Sequence, residues 1–197
     1  MNQTAIIDND GDRIERILRG DTVAFRELVN RHKDFAFTLA YRILNSREDA
    51  EEAAQDAFVR AYNGLVTFNR EAKFTTWLYR IVVNCSLTVQ QRRKKPTEDI
   101  ENANVISKYE ATKRANDTSD SLKNKEQKFY IQKALKLLSP DDVTMITLFY
   151  LKENSLEEIA ETVGIETNTV KVKLHRARKR LAEAMQNLLK GEAKNLI

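Results

Sequence analysis

The chain has 197 residues with only 5 glycines and 2 prolines, so few residues favour turns and long helices are the default expectation. A single cysteine, Cys85, excludes an internal disulfide framework, and two separated histidines, His32 and His175, leave no Cys/His metal cluster. The net charge is +4, from 33 Lys and Arg against 29 Asp and Glu, and no apolar run approaches the roughly 18 residues of a membrane span.

The amino terminus also lacks the apolar stretch of a signal peptide, so the expectation is a cytoplasmic protein without membrane insertion. Residues 1–20 read as a tail and a short helix. The run Asp8-Asn-Asp-Gly-Asp12 hints at a calcium loop, but the sixth and twelfth positions hold Arg13 and Arg19 where Gly and Glu are needed. No metal or other cofactor is expected.

From 21 to 95 the pattern is helical. Asp21 can cap a helix carrying Phe25, Leu28 and Val29, and Ser46 with Asp49 has the spacing of a capping box. The segment after Ser46 is acidic, with Glu48, Asp49, Glu51, Glu52 and Asp56 against Arg47. Phe74, Leu78, Ile81 and Cys85 recur at helical spacing and predict a core face, with Trp77 packed beside it. A second stripe carries Thr76, Arg80, Asn84 and Gln91 and runs into Arg92-Arg93-Lys94-Lys95. An amide among Thr and Arg, leading into four cations, suits a helix laid against nucleic acid.

Residues 96–125 lose the periodicity and are rich in Asn, Ser, Thr and mixed charge, which predicts a flexible linker. Helical periodicity returns over 126–190, with 191–197 as a tail. Ser139-Pro140-Asp141-Asp142 is a helix start with its cap, its first-turn proline and its acids. Ser155 with Glu158 repeats the capping-box spacing, and Gly164 stands where a short helix needs a left-handed stop. Ile159, Val163, Ile165, Val170 and Leu174 then fill the wedge of a helix-turn-helix, with Ala160 allowing close approach. The second helix carries an apolar stripe of Val170, Leu174, Ala177 and Leu181. Its other faces hold Asn168, Lys171, Lys173, His175, Arg176, Arg178, Lys179 and Arg180, which suits phosphate and base-edge contacts in a DNA groove. The fold class is therefore all-α: two small helical domains joined by a flexible linker, the second containing a helix-turn-helix.

Two stretches carry a family resemblance. Asp49-Ala-Glu-Glu-Ala-Ala-Gln-Asp-Ala-Phe58, followed by Phe74-Thr-Thr-Trp-Leu-Tyr-Arg-Ile-Val-Val-Asn84, resembles region two of a bacterial RNA polymerase sigma factor of the extracytoplasmic-function type. The stretch from Leu138-Ser-Pro to Leu181 resembles its region four, and the motifs occur in the family's order. The resemblance implies a sigma factor, not an enzyme, that binds core RNA polymerase together with double-stranded and melted promoter DNA. It places core binding on Asp49, Glu52, Gln55, Asp56 and Phe58. It places the downstream promoter element and melting on Lys73, Thr76, Arg80, Asn84, Arg92 and Arg93, with the loop Phe68–Lys73. The upstream element falls to Thr167, Asn168, Thr169, Lys171, His175, Arg176, Arg178 and Lys179. An anti-sigma factor is a further candidate partner. The chain departs from the common family pattern at Ala53, where Leu is usual, and at Thr88, where Asp is frequent. The competing reading is a free-standing helix-turn-helix regulator whose amino-terminal domain senses a signal or dimerises.

Overall fold

The computed structural model describes residues 10–94 and 122–195, with side chains described over 10–93 and 127–190. These residues form α1 (Asp10–Leu18), α2 (Thr22–Leu44), α3 (Arg47–Gly64), α4 (Phe74–Lys94), α5 (Leu122–Leu135), α6 (Pro140–Leu151), α7 (Leu156–Val163) and α8 (Thr167–Asn195), with a 3-10 turn at Leu65–Thr67. Among the described residues there is no strand, and no helix is long and apolar enough to cross a membrane.

Helix starts follow local chemistry. A helix leaves its first backbone N–H groups without partners, and a side-chain oxygen just ahead of it supplies one. Asp21 accepts from the N–H of Val23 and Ala24 at 2.9 and 3.1 Å. Ser46 and Ser139 do the same for Asp49 and Asp142. On α7 the capping box closes in both directions: the Glu158 N–H donates to the Ser155 hydroxyl at 3.2 Å, and the Ser155 N–H donates to the Glu158 carboxylate at 3.0 Å. Gly164 ends α7 in the left-handed region at φ 73°, where a side chain is strained.

Helices α1 to α4 share one core. The inward face of α3 is built of Ala50, Ala53, Ala54, Ala57 and Ala61, so α2 and α4 approach it closely. Ala53, at the centre of this face, is fully buried. Leu28, Leu39, Leu78, Tyr79 and Val82 fill the interior. Helix α1 belongs to this bundle, contributing Ile14 and Ile17, although the sequence set residues 1–20 apart. In the second group, Val170, Leu174 and Ala177 of α8 are buried with Ile159 of α7 and Leu148 of α6, completing the expected wedge. The two groups also pack on each other, α6 against α2 and α7 against α4.

Two expectations need adjustment or lie out of reach. Helix α5 begins at Leu122, inside the stretch 96–125 read as linker. Its first residues, Leu122-Lys-Asn-Lys-Glu-Gln127, are mostly good helix formers without apolar periodicity, so pattern alone hides them. The expected mobility of the linker falls on residues 95–121, outside the described residues.

The interior also holds one ionic group that periodicity does not reveal. The Asp10 carboxylate is buried and lies 2.8 Å from His32 Nε2, with the Arg31 guanidinium at 3.4 Å. Burial pushes the Asp10 carboxyl up, but the hydrogen bond and charge of His32, with Arg31 and Arg13, outweigh it and hold the group below the usual carboxylate range. A depressed carboxyl stabilises the fold above its ordinary value and loses that contribution as pH falls through the lowered one. Asp10→Asn is therefore expected to cost about 1.5 to 3 kcal/mol, the usual worth of a hydrogen bond to a charged group. It should also flatten the acid limb of stability below about pH 4. Thermal melts across pH, with exposed Asp12→Asn as the control, check both.

Candidate nucleic-acid and polymerase interface

Helix α8 enters the turn with its amino-terminal half outward. Val170 and Leu174 point into the core, so Asn168, Lys171, Val172, His175 and Arg176, at helical spacings of three and four, are left exposed. These residues and Arg178 line one shallow concavity. Thr169 and Lys179 are exposed beside it, and Thr167 is half-buried. The row offers an amide, cations and an imidazole on a single convex helix, the shape and chemistry that a DNA groove accepts.

The remaining cations of α8 are partly engaged within the chain. Arg178 stacks on the rings of Phe149 and Tyr150, at 4.7 and 5.4 Å from their centres. Lys179 lies 4.0 Å from Glu183, and Lys173 meets Asp141 at 3.3 Å. Arg180 makes a two-pronged contact to Asp142 at 2.8 and 2.9 Å, tying α8 to the first turn of α6. Val172 is the residue of this surface that sequence reading passed over. It is 49% exposed, and its signal was an apolar side chain lying off the Val170, Leu174, Ala177 stripe.

Helix α4 presents a second surface. Lys73, Arg80, Asn84, Arg92 and Arg93 are exposed along it. Thr76 is not: it is 2% exposed, and its hydroxyl has no hydrogen-bond partner among the described residues. The Thr76 side chain, expected at the downstream element, is thus buried in this conformation, and α7 packs on α4 nearby. The Lys73 ammonium instead contacts the Glu158 carboxylate of α7. Burial pushes the Glu158 carboxyl up, but the hydrogen bond from Lys73 and that from the Ser155 backbone hold it low. The loop ahead of α4 is anchored on the other side, where Arg70 meets Glu15 of α1 at 3.0 Å. Trp77 packs against Phe68 and Phe74, as its apolar neighbours predict.

Helix α3 carries the acids. Glu52 and Gln55 are exposed, Asp49 and Asp56 are half-buried, and Phe58 is 8% exposed and part of the core. Phe58 is thus a packing residue here rather than an open contact, since its face of α3 is the alanine face turned inward. The structure also joins two sites that the sequence kept apart: Arg93 pairs with Asp49, and Arg92 lies 3.8 Å from Glu52. Val59 and Tyr62, exposed on the same helix, extend this surface with apolar area.

Residues 28–95 match Sigma-70 region 2, and residues 128–181 match Sigma-70, region 4. The chain is 36% identical over 184 residues to the ECF RNA polymerase sigma factor SigW of Bacillus subtilis (strain 168), across 89% of this chain and 96% of that one. The chain belongs to the ECF sigma factors. As a sigma factor it directs promoter-specific transcription. The amino-terminal half that a free-standing regulator would use for sensing is region 2 of this sigma factor. Its fold is shared by CnrH in complex with the cytosolic domain of CnrY, with a TM-score of 0.67 at 21% identity over 91% of this chain and 99% of that chain. It is shared too by RpoE of Bartonella quintana in complex with the anti-sigma factor NepR, with a TM-score of 0.60 at 22% identity over 82% and 96%.

Within this sigma factor Arg180 braces α8 on the first turn of α6. Arg180→Ala is expected to lower stability by about 1.5 kcal/mol, the low end for a hydrogen-bonded charge because the guanidinium is half exposed. Promoter sequence preference should stay unchanged. Denaturant melts and selection on a promoter library measure the two separately.

Proposed function

We propose that this sigma factor is a specificity subunit without catalytic chemistry of its own, acting in the cytoplasm on core RNA polymerase and promoter DNA. The domain bearing α8, over residues 126–190, takes the upstream element as duplex, and the domain of 21–95 takes the downstream element as it opens. The observation that carries this reading is the exposed row Asn168, Lys171, Val172, His175 and Arg176. Among the described residues, Lys171, His175 and Arg176 have no acidic partner competing with DNA.

Roles divide along the row. Lys171 and His175, nearer the amino-terminal end of α8, read base edges, with Thr167, Asn168 and Thr169 positioning the entry of the helix. Arg176, Arg178 and Lys179 hold phosphate, because the later turns of a helix that enters by its amino terminus lie over the backbone. On α4, Arg80 and Lys73 hold the strand backbone while Asn84, able to donate and accept, meets an unstacked base.

Core binding falls to the exposed part of α3. Glu52 and Gln55 lie beyond the first helical turn, where acids gain nothing from the macrodipole, so complementarity to a basic polymerase surface is their remaining use. The Glu52–Arg92 pair is exposed on both sides and weak enough to exchange. The complex of RpoE with the anti-sigma factor NepR, whose fold this chain shares, supports an anti-sigma factor as a further partner.

Transcription with purified core polymerase, with and without this chain, tests the function. Promoter-dependent transcripts that require the chain are expected, and their absence overturns the reading. On a promoter library, Lys171→Ala should change the preferred sequence. Lys179→Ala should weaken all sequences alike and lower the salt slope by about one. Identical effects on selectivity would contradict the division of roles.

A further inference from the structure

Two arginines of α8, two residues apart and so on opposite sides of the helix, hold the two ends of α6 by different chemistry. Arg180 takes the Asp142 carboxylate in the first turn of α6, and that acid answers its charge. Arg178 takes the last turn. Its guanidinium carbon lies 4.7 Å from the centre of the Phe149 ring and 5.4 Å from that of Tyr150. The two rings stand at 77° to each other with their centres 5.0 Å apart, so they make a corner in which the guanidinium sits. Both distances lie within the ~6 Å reach of a cation over an aromatic face.

The difference matters to an anion arriving from outside. A carboxylate neutralises a guanidinium and occupies its N–H groups. An aromatic face attracts the cation through its quadrupole but carries no formal charge, and it leaves the in-plane N–H donors for another acceptor. Among the described residues no acid pairs with Arg178, so its charge stays available while its position is held. Phe149 is half-buried against the core and fixes one wall of the corner, whereas Tyr150 is 55% exposed and forms the outer wall. The site adjoins the row described above: Arg178 lines the same concavity as Lys171 and His175, and spacings of four and three residues put the three on one flank of α8. A long side chain that waves in solvent loses its rotamer freedom on binding, and one already seated loses less.

We propose that Phe149 and Tyr150 are positioning residues for the phosphate contact of Arg178, so that the surface taking the upstream element extends from α8 onto the last turn of α6. The proposal deepens the assignment of Arg178 to phosphate and rests on it. Tyr150 acts through the guanidinium and makes no DNA contact of its own.

The test uses holoenzyme assembled from purified core polymerase and the whole chain, with a fluorescent duplex carrying an upstream element that the chain selects from a promoter library. Tyr150 is the residue to change, because it is exposed and its loss leaves the core intact. Tyr150→Leu removes the aromatic face and keeps apolar bulk, and Tyr150→Phe removes only the hydroxyl. Tyr150→Leu should weaken duplex binding about fivefold, while Tyr150→Phe binds like the unaltered chain and neither changes affinity for core polymerase. In an Arg178→Ala background Tyr150→Leu should cost nothing further, since a positioning residue has no effect once the group it positions is gone. No loss with Tyr150→Leu, an equal loss with Tyr150→Phe, an undiminished loss in the Arg178→Ala background, or weakened core binding would each overturn the proposal. Arg178→Ala alone separates the two layers. If it weakens binding and lowers the salt slope by about one while Tyr150→Leu does nothing, only the positioning role is lost. If it changes neither, the phosphate reading of Arg178 falls as well.

Discussion

Helix α4 is packed from two directions at once, and this double contact organises the molecule. Toward the first bundle, Phe74 meets His32 and Tyr79 meets Phe35, while Leu78, Val82 and Cys85 are buried in the shared core. Toward the second group, α7 packs on α4, with Glu158 at Lys73 and Gly164 beside Arg80. What remains open is a band holding Lys73, Arg80 and Asn84 that runs on to Arg92 and Arg93. A helix fixed this firmly on its apolar side can present an amide and two cations at defined positions, which recognition of an unstacked base requires. The burial of Cys85 follows from the same packing and pushes its thiol up, away from reactivity.

Much of this was legible in the sequence because the signals are local. Asp21, Ser46, Ser139 and Ser155 all cap the helices they announced, and Gly164 takes the left-handed turn. The apolar stripe Val170, Leu174, Ala177 was readable for the same reason, since helical spacing alone decides which residues turn inward. The exposed row on α8 is its complement.

What was not legible depends on contacts distant in sequence. Nothing near Lys73 announces that Glu158 of α7, far along the chain, would pair with it. Phe58 read as a contact because a motif holds it, yet the alanines around it turn its face inward. The pairing of Asp49 with Arg93 joins an acidic segment to a basic one that were each read as facing a partner. The Asp10–His32 pair was hidden because a single Asp in a polar run carries no periodicity, and only the docking of α1 on α2 brings the two together. Charge runs in sequence state a capacity for electrostatic contact, and the fold decides which of them are already satisfied.

The ion pairs that close this structure are mostly exposed, and each is individually weak. The sigma factor is therefore held by its apolar core and only trimmed by charge, so acids and cations can change partners without unfolding either bundle. The central claim is that α4 presents Asn84 to the opening strand, and permanganate reactivity of unpaired thymines on a promoter bound by the polymerase holoenzyme tests it most directly. The account predicts that Asn84→Ala leaves core binding intact, reduces reactivity in the downstream element and relaxes base preference at one position there by about 1 to 3 kcal/mol. An unchanged footprint with unchanged base preference would contradict it and leave Asn84 as an exposed residue of a packing helix.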